Sequence, residues 1–210
     1  MKFGALRRPA HGAVQSIPAR SVGTRISMQT YTHFLLTAVL QKAARIDNRD
    51  AVSGLLAGSV APDLPLALLS LGYVVDRRYV RPHLPDKTRC SPTYNELYFN
   101  NPWWIAAHNS LHAPLPLFIL ALLGLLLRRR WLLWFALGCG LHTAVDIFSH
   151  ADDGPVLLFP LDWKKRFRSP ISYWDPKHGG RIFRLIEHLL DLLLIGYLIL
   201  QRASAKKGAN

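Results

Sequence analysis

Three side chains able to bind a metal stand four residues apart in the segment HTAVDIFSH, at His142, Asp146 and His150. On an α-helix they fall within roughly 80° of one another and span about 12 Å of the axis, so they point the same way. His108 and His112 repeat this spacing in the segment HNSLH. Side chains at i and i+4 can share one divalent cation, and His150 extends the stripe towards a second. The spacing therefore predicts metal binding.

Ordinary interpretations compete with this prediction. A single His in an apolar helix is more often a satisfied core residue than a ligand. Asp63 stands between Pro62 and Pro65, where it either caps the next helix or joins a metal site. Asp146 is harder to explain as ordinary, because an unpaired carboxylate in an apolar helix is costly and needs a partner. Four other histidines are expected to be ordinary, with His178 the least certain of them: His11, His83, His178 and His188.

The composition favours a membrane protein. The chain has 210 residues, is 50% apolar and carries a formal charge of +13. Residues 113–127 hold no charge, and a second apolar run at 131–141 follows three consecutive arginines, which predicts a helical hairpin. The basic excess suits membrane lipid or an anionic, phosphate-bearing substrate. Nucleic acid is not expected, since the basic residues flank the apolar segments. Cys90 and Cys139 form no disulfide framework and no metal-binding Cys pair.

The elements predicted to position these residues form an all-α membrane bundle of about four to five helices with two long loops. The first helix begins near Tyr31 with Thr32 as its N-cap, and the others cover 51–75 with a break at Asp63, 102–127, 131–150 and 180–200. The loops cover 76–102 and 151–180. Apolar cores of about 11–17 residues are shorter than a clean span of about 20, so the chain is multi-pass or partly embedded. Up-and-down connectivity would bring the start of the last helix to one side together with His33, His108, His112 and His150.

The two ends differ from the helical domain that we expect over residues 28–200. Residues 1–27 contain five basic and no acidic residues. They are either an Arg-rich targeting or disordered leader, or an extension upstream of a start at Met28, and we favour the second interpretation. Residues 201–210 are expected to form a polar tail.

The mixed nitrogen and oxygen ligand set fits Zn(II) best, while Mn(II), Fe(II) and Ni(II) also fit. A carboxylate such as Asp146 can bridge two cations, so two or three ions could bind. Metal-activated water favours hydrolysis, with His142 and Asp146 as the catalytic candidates. A phosphoester substrate, with a phospholipid as one candidate, would suit the basic loop residues Lys164, Lys165, Arg166 and Arg168.

Two other interpretations of the same residues stay open. In the first, a non-enzymatic membrane protein uses them for a structural or transport-related metal site. In the second, a helical membrane protein binds no metal. Nucleophilic catalysis without metal fits less well, because the sequence has no GxSxG motif.

The ordered motifs THF, PDLP, HNSLH, GLHTAVDIFSH and GPVLLFPLDWKKRFRSPI resemble a family of membrane-bound metal-dependent hydrolases that includes LexA-regulated inner-membrane proteins of bacteria. The resemblance covers about residues 28–170 and implies a helical protein of the bacterial inner membrane. It departs at Leu64 to Leu66, where the family has a second acid and a His, and at Asn109, where it has Arg and a spacing one residue longer. His150 could replace a missing ligand. The metal ligands that the resemblance implies are His33, Asp63, His108, His112, His142 and Asp146.

A more distant similarity is to zinc-dependent phospholipase C and the related single-strand nucleases. In those helical proteins, His and Asp residues from several helices hold three zinc ions. His142 and Asp146 match their HxxxD pair. Their later HxxxE pair is not matched, because Phe183 stands four residues before Glu187. Glu187 alone is therefore a further candidate ligand.

Overall fold

The computed structural model describes residues 30–83 and 92–207, with the side chains of 205–207 left out. The expected leader 1–27, the proposed start at Met28, His11 and Cys90 lie outside the described residues, as does the last part of the tail. The described chain is helical, apart from its loops and one isolated antiparallel bridge between Val156 and Arg166, so the all-α class is confirmed. The helices are α1 Thr30–Ala43, α2 Arg49–Gly58, α3 Asp63–Val75, α4 Tyr94–Asn100, α5 Pro102–Asn109, α6 Pro114–Leu126, α7 Arg130–Ser149 and α8 Gly180–Lys207.

Two of the predicted long helices are divided at prolines. The predicted break at Asp63 is present, because α2 ends at Gly58 and α3 begins at Asp63. The prediction of one helix over 102–127 is wrong, because the chain turns after Asn109 and bends by 46° before α6. Pro114 opens α6, since proline lacks the N–H that a helix interior needs but fits its first turn. The bend falls within HNSLH and separates His108 from His112.

The ends of three other elements also differ from the sequence-based expectations. Thr32 is not an N-cap: α1 already includes Thr30, and the Thr32 hydroxyl donates to Glu187 Oε1 at 3.1 Å. The first long loop contains α4, which begins with a reciprocal capping box between Thr93 and Glu96. The last helix continues through the expected polar tail as far as Lys207.

Glycines allow α2 and α7 to pack backbone against backbone. A Cβ placed on Gly54, Gly58 or Gly138 would collide with backbone atoms of the facing helix. Gly54 and Gly58 are four residues apart and therefore lie on the same face of α2. Small residues at this spacing let membrane helices approach closely and pack by van der Waals contact. The close approach holds the C-terminal end of α2 against the middle of α7.

The distribution of polar and apolar side chains is that of a membrane protein. Large apolar residues such as Leu68, Phe118, Leu126 and Leu193 are exposed on α3, α6 and α8. Many of the buried side chains are instead polar or charged. In the described part of the chain, two helical segments, Arg49–Val80 and Arg130–Ser149, are long and apolar enough to cross a membrane. The bent pair α5 and α6 is a third if it forms one span.

Candidate functional site

A buried group of acids and imidazoles lies where α3, α7 and the bend after α5 meet. Asp63, His112, His142 and Asp146 each offer a ligand atom, and these atoms lie within 4.8 Å of one another. We call these four residues the buried cluster. Two come from α7, one from the first turn of α3 and one from the α5–α6 bend. Helix breaks at prolines therefore supply two of the four side chains.

Asp146 is the centre of this arrangement. Its Oδ2 lies 2.7 Å from His112 Nε2 and 3.3 Å from His142 Nε2. Its Oδ1 lies 3.1 Å from Nε2 of His33 on α1. His150 Nε2 is 3.8 Å from Oδ2. One buried carboxylate is thus surrounded by four imidazoles, which explains how an acid can be tolerated inside an apolar helix.

The close packing of α2 on α7 also orients His142. The residue after Gly58 is Ser59, whose carbonyl accepts a hydrogen bond from His142 Nδ1 at 2.8 Å. Because Nδ1 donates to that carbonyl, the lone pair of Nε2 faces the buried cluster, 3.5 Å from Asp63 Oδ1. A metal-binding His is typically held by a partner of this kind on its other nitrogen. The His33 ring stacks on the His142 ring at 3.7 Å between centroids.

Asp63 joins the cluster and does not cap its helix. Pro62 occupies the N-cap position of α3 and makes no side-chain hydrogen bond there. The Asp63 carboxylate accepts a hydrogen bond from the Thr30 hydroxyl at 2.6 Å and faces His142. The first turn of α1 therefore fixes the side chain of Asp63. The break between α2 and α3 places that side chain beside the buried cluster.

Several polar atoms in and around the buried cluster have no hydrogen-bond partner among the described residues. They include His33 Nε2, His142 Nε2, Asp146 Oδ1 and His150 Nε2. Buried polar atoms are nearly always hydrogen-bonded, so a group of unsatisfied ones needs an explanation. All four atoms are of the kinds that bind transition metals, and three lie close to the Asp146 carboxylate. The donor set fits a divalent cation such as Zn(II).

A second group of residues borders the cluster on the side of the two long loops. His150 Nδ1 donates to Asp153 Oδ1 at 3.1 Å, and the Trp174 indole donates to Asp153 Oδ2 at 2.7 Å. The Tyr98 hydroxyl donates to the Asp153 carbonyl at 2.6 Å, and Arg166 contacts the same hydroxyl. We call Tyr98, Asp153, Arg166 and Trp174 the loop rim. It joins α4 to the loop after α7.

Charges and burial shift the protonation of the rim. Burial alone would raise the pKa of Asp153, but the hydrogen bond and charge of His150 and the Trp174 indole lower it below its usual value. Burial opposes a charge on His150, yet the hydrogen bond to Asp153 and the carboxylate charges raise its pKa overall. Burial raises the pKa of Tyr98, which keeps its hydroxyl protonated. The rim thus holds a neutral phenol and an ionised Asp153 at neutral pH.

The structure places the candidate residues at different distances from Asp146. Its carboxylate contacts His33, His112, His142 and His150, and Asp63 completes the buried cluster. His108 lies further out, with its ring 4.6 Å from that of His112 and its Nε2 3.4 Å from the Tyr98 hydroxyl.

Glu187 is not one of the four residues of the buried cluster. It is buried on α8, where its Oε1 accepts a hydrogen bond from the Thr32 hydroxyl.

Sequence reasoning missed the residues that support these candidates. Ser59, Tyr98, Asp153 and Trp174 were not among the predicted site residues. For Ser59, the GxxxG spacing of SGLLAGS is a signal of close helix packing. The three rim residues lie in segments that the sequence predicts to be polar, aromatic loops, although Tyr98 belongs to α4, and no periodic pattern distinguishes them.

Comparison with known proteins identifies a family of inner membrane proteins. The chain matches the family model described as YdjM inner membrane protein over residues 28–207. No curated protein and no solved structure matches it. The family and the two or three candidate spans place the protein in the inner membrane, as the sequence predicted. Hydrolase activity and the likeness to phospholipase C stay predictions. The chain belongs to the YdjM inner membrane protein family.

Proposed function

We propose that the buried cluster binds divalent cations, with Zn(II) as the best fit, and that the protein hydrolyses a phosphoester at the membrane. The observation that carries this proposal is the Asp146 carboxylate, buried among four imidazoles whose free nitrogens include several without a partner. A structural ion pair would need one imidazole, whereas a metal site needs several ligands that converge on one point.

The chain's own residues have distinct parts in this proposal. When bound, a divalent cation lowers the pKa of water to about 7 and stabilises negative charge on a phosphoryl group. The two carboxylates of Asp63 and Asp146 would offset the cation's charge in a buried site. The Ser59 carbonyl fixes the tautomer of His142. The two oxygens of Asp146 contact different imidazoles, Oδ1 that of His33 and Oδ2 that of His112, so this carboxylate could contribute to holding more than one ion.

The least buried parts of the site indicate the side from which a substrate would approach. The side chains of His142 and Asp146 are 0% and 4% exposed, while those of Asp63 and His150 are each 10% exposed. Asp153 on the rim reaches 19%. Exposure therefore increases towards the loops, which agrees with a phosphoester that enters from one membrane face. A phospholipid is one such substrate.

The deep burial also supports a second candidate function, a structural or transport-related metal site without catalysis. Structural sites are closed by protein ligands, whereas catalytic sites keep a position open for water. The number of imidazoles around Asp146 would be enough to close the coordination of one ion. The two functions differ in whether the bound metal exchanges a water ligand and supports hydrolysis.

Elemental analysis of the protein purified in detergent without chelators tests the metal site. We expect a stoichiometric transition metal in the wild type and its loss in Asp146→Ala and His142→Ala. Asp47→Ala and His83→Ala, which change exposed residues of the same types, should keep the metal. A wild-type protein without metal would rule out the proposal.

Hydrolysis is then measured with bis(p-nitrophenyl) phosphate and with phospholipid in mixed micelles. The enzyme proposal expects turnover by the wild type that disappears when a chelator removes the metal. Stoichiometric metal without turnover of either substrate would favour the structural or transport site.

A further inference from the structure

Arg166 differs from the other basic residues of its loop. Lys164, Lys165 and Arg168 are exposed, whereas Arg166 is partly buried. The Arg166 backbone pairs with Val156 in the isolated bridge, which fixes its place beside the site. One residue of the basic segment is therefore held against the protein while its neighbours extend into solvent.

Aromatic rings and one carbonyl hold the Arg166 guanidinium. Its central carbon lies 5.1 Å from the centre of the Tyr98 ring and 5.4 Å from that of Phe99. Its Nη1 donates to the Gly154 carbonyl and lies 3.5 Å from the Tyr98 hydroxyl. These contacts fix the plane of the guanidinium and engage one of its three nitrogens.

Arg166 forms no ion pair with an acidic side chain among the described residues. Across residues 30–83 and 92–207, no carboxylate lies within salt-bridge distance of Arg166, whereas Arg81 is bonded to Asp76 at 2.7 Å. A guanidinium has five N–H donors, and those on Nε and Nη2 of Arg166 have no bond to the described residues. Partial burial of a cation without a counterion is costly, and an anionic ligand would offset that cost.

Arg166 is also connected to the buried cluster. The Tyr98 hydroxyl that it contacts lies 3.4 Å from His108 Nε2, and the ring of His108 lies 4.6 Å from that of His112. Tyr98 also donates to the backbone of Asp153, whose side chain holds His150. The guanidinium is thus on the loop side of the site, where exposure increases.

We propose that Arg166 binds the phosphoryl group of the substrate, pairing its free N–H donors with two non-bridging oxygens. This proposal rests on the phosphoester function. Planar, bidentate recognition of phosphate is what a fixed guanidinium does better than a lysine. The phosphoryl group could belong to a lipid headgroup or to a soluble ester, and both would present the same oxygens.

Phosphate binding tests the proposal without requiring turnover. Inorganic phosphate is titrated calorimetrically into the full-length protein in detergent, with and without zinc, and phosphatidic acid is presented in phosphatidylcholine nanodiscs. Arg166→Gln should weaken binding by about 10- to 100-fold, as expected for loss of a charge-assisted pair. Lys165→Gln, an exposed change in the same loop, should bind like the wild type. Arg166→Lys should fall between, because a point charge replaces the planar fork.

The outcomes separate this proposal from the metal site. Loss of phosphate binding in Arg166→Gln with metal content intact supports it, and equal binding by Arg166→Gln and wild type overturns it. An equal loss in Lys165→Gln also overturns it, since the loop would then act only through its total charge. If Arg166→Gln fails to fold, a folded Arg166→Lys that binds phosphate as tightly as the wild type overturns it, and weaker binding supports it.

The two ligands identify the source of the phosphoryl group. Arg166-dependent binding of phosphatidic acid alone indicates a lipid headgroup, and Arg166-dependent binding of phosphate alone indicates a soluble ester. If neither ligand binds in an Arg166-dependent way, the proposal is overturned. A wild-type protein that holds no metal would rule out the phosphoester function. Arg166-dependent phosphate binding by the zinc-free protein would still support the role of Arg166, so the failures of the two proposals are distinguishable.

Discussion

The buried cluster and the loop rim are adjacent, yet they are built in different ways. Backbone packing holds the cluster: α2 lies against α7 through glycines, and the Ser59 carbonyl meets His142. The rim is held by single side-chain contacts between loops, such as those of Tyr98 and Trp174 with Asp153. The side chain of His142 is 0% exposed, and that of Asp153 is 19% exposed.

This difference predicts different responses to mutation. A change that separates the packed helices should affect folding and the cluster together, because the same backbone atoms serve both. A change in the rim should alter the site while leaving the fold intact.

Gly58→Ala should have the largest effect on stability. The added methyl group would collide with the Phe135 carbonyl and lie 2.8 Å from Cys139 N, so α2 must move away from α7. We expect the free energy of unfolding to fall by about 2–3 kcal/mol, with loss of the metal as Ser59 leaves His142. Equilibrium unfolding in detergent and elemental analysis measure the two effects.

Gly140→Ala is the matched control for this change. Gly140 lies on α7, the helix that Gly58 faces, but a Cβ there would meet no atom within 4 Å, so stability and metal content should stay near those of the wild type. If Gly58→Ala loses stability and keeps its metal, the helix interface and the cluster are not coupled.

Asn109→Ala should have a smaller effect, at the junction between the two regions. The Asn109 side chain is fully buried; it accepts from Val156 N at 2.7 Å and donates to the Ile105 carbonyl at 2.8 Å. Its removal leaves a buried N–H unsatisfied, so we expect a loss of about 1–2 kcal/mol. Equilibrium unfolding measures the loss.

Ser110→Ala is the control for the junction. Ser110 is an exposed neighbour whose hydroxyl bonds only the carbonyl of Ala107 within the described residues, so its loss should change stability little. Equal stability of Asn109→Ala and wild type would show that the loop after α7 is not fastened through this residue. Asn109 stands where related proteins were expected to carry Arg, and here it ties the loop to α5.

The proximity of His142 and Asp146 on α7 could be predicted from the sequence, because the information is local. His142 and Asp146 lie four residues apart on one helix, and prolines mark the break that brings in Asp63. The two uses of Asp63, as a cap or as a ligand, could not be separated from the sequence, since both place a carboxylate at a helix start. The contact that decides between them comes from Thr30, 33 residues away.

The rim could not be predicted because its contacts, like that of Thr30 with Asp63, join residues that are far apart in the chain. Tyr98 and Asp153 are 55 residues apart and meet only after both loops have closed over the helices. The bend after α5 was also missed, although Pro114 marks it, because the apolar run continues on both sides. Spacing on one helix is thus readable from a single sequence, whereas pairing between loops depends on the tertiary fold.

Asp153→Asn should have the smallest effect on the fold and a measurable one on the site. The amide keeps the shape of the carboxylate but removes the charge that holds His150 Nδ1 at 3.1 Å. Loss of such an orienting partner typically weakens metal binding by about 10-fold or more. We therefore expect a weaker zinc affinity, measured by competition with a chelating dye, at an unchanged unfolding midpoint.

The neighbouring Asp152→Asn removes the same charge from an exposed position and should leave zinc affinity unchanged. Complete loss of metal in Asp153→Asn would mean that metal binding requires the loop rim as well as the buried cluster. An affinity equal to that of the wild type would mean that His150 does not bind the ion, although its Nε2 lies 3.8 Å from Asp146. An intermediate loss is expected only if His150 adds to a cluster that the helices already hold in place.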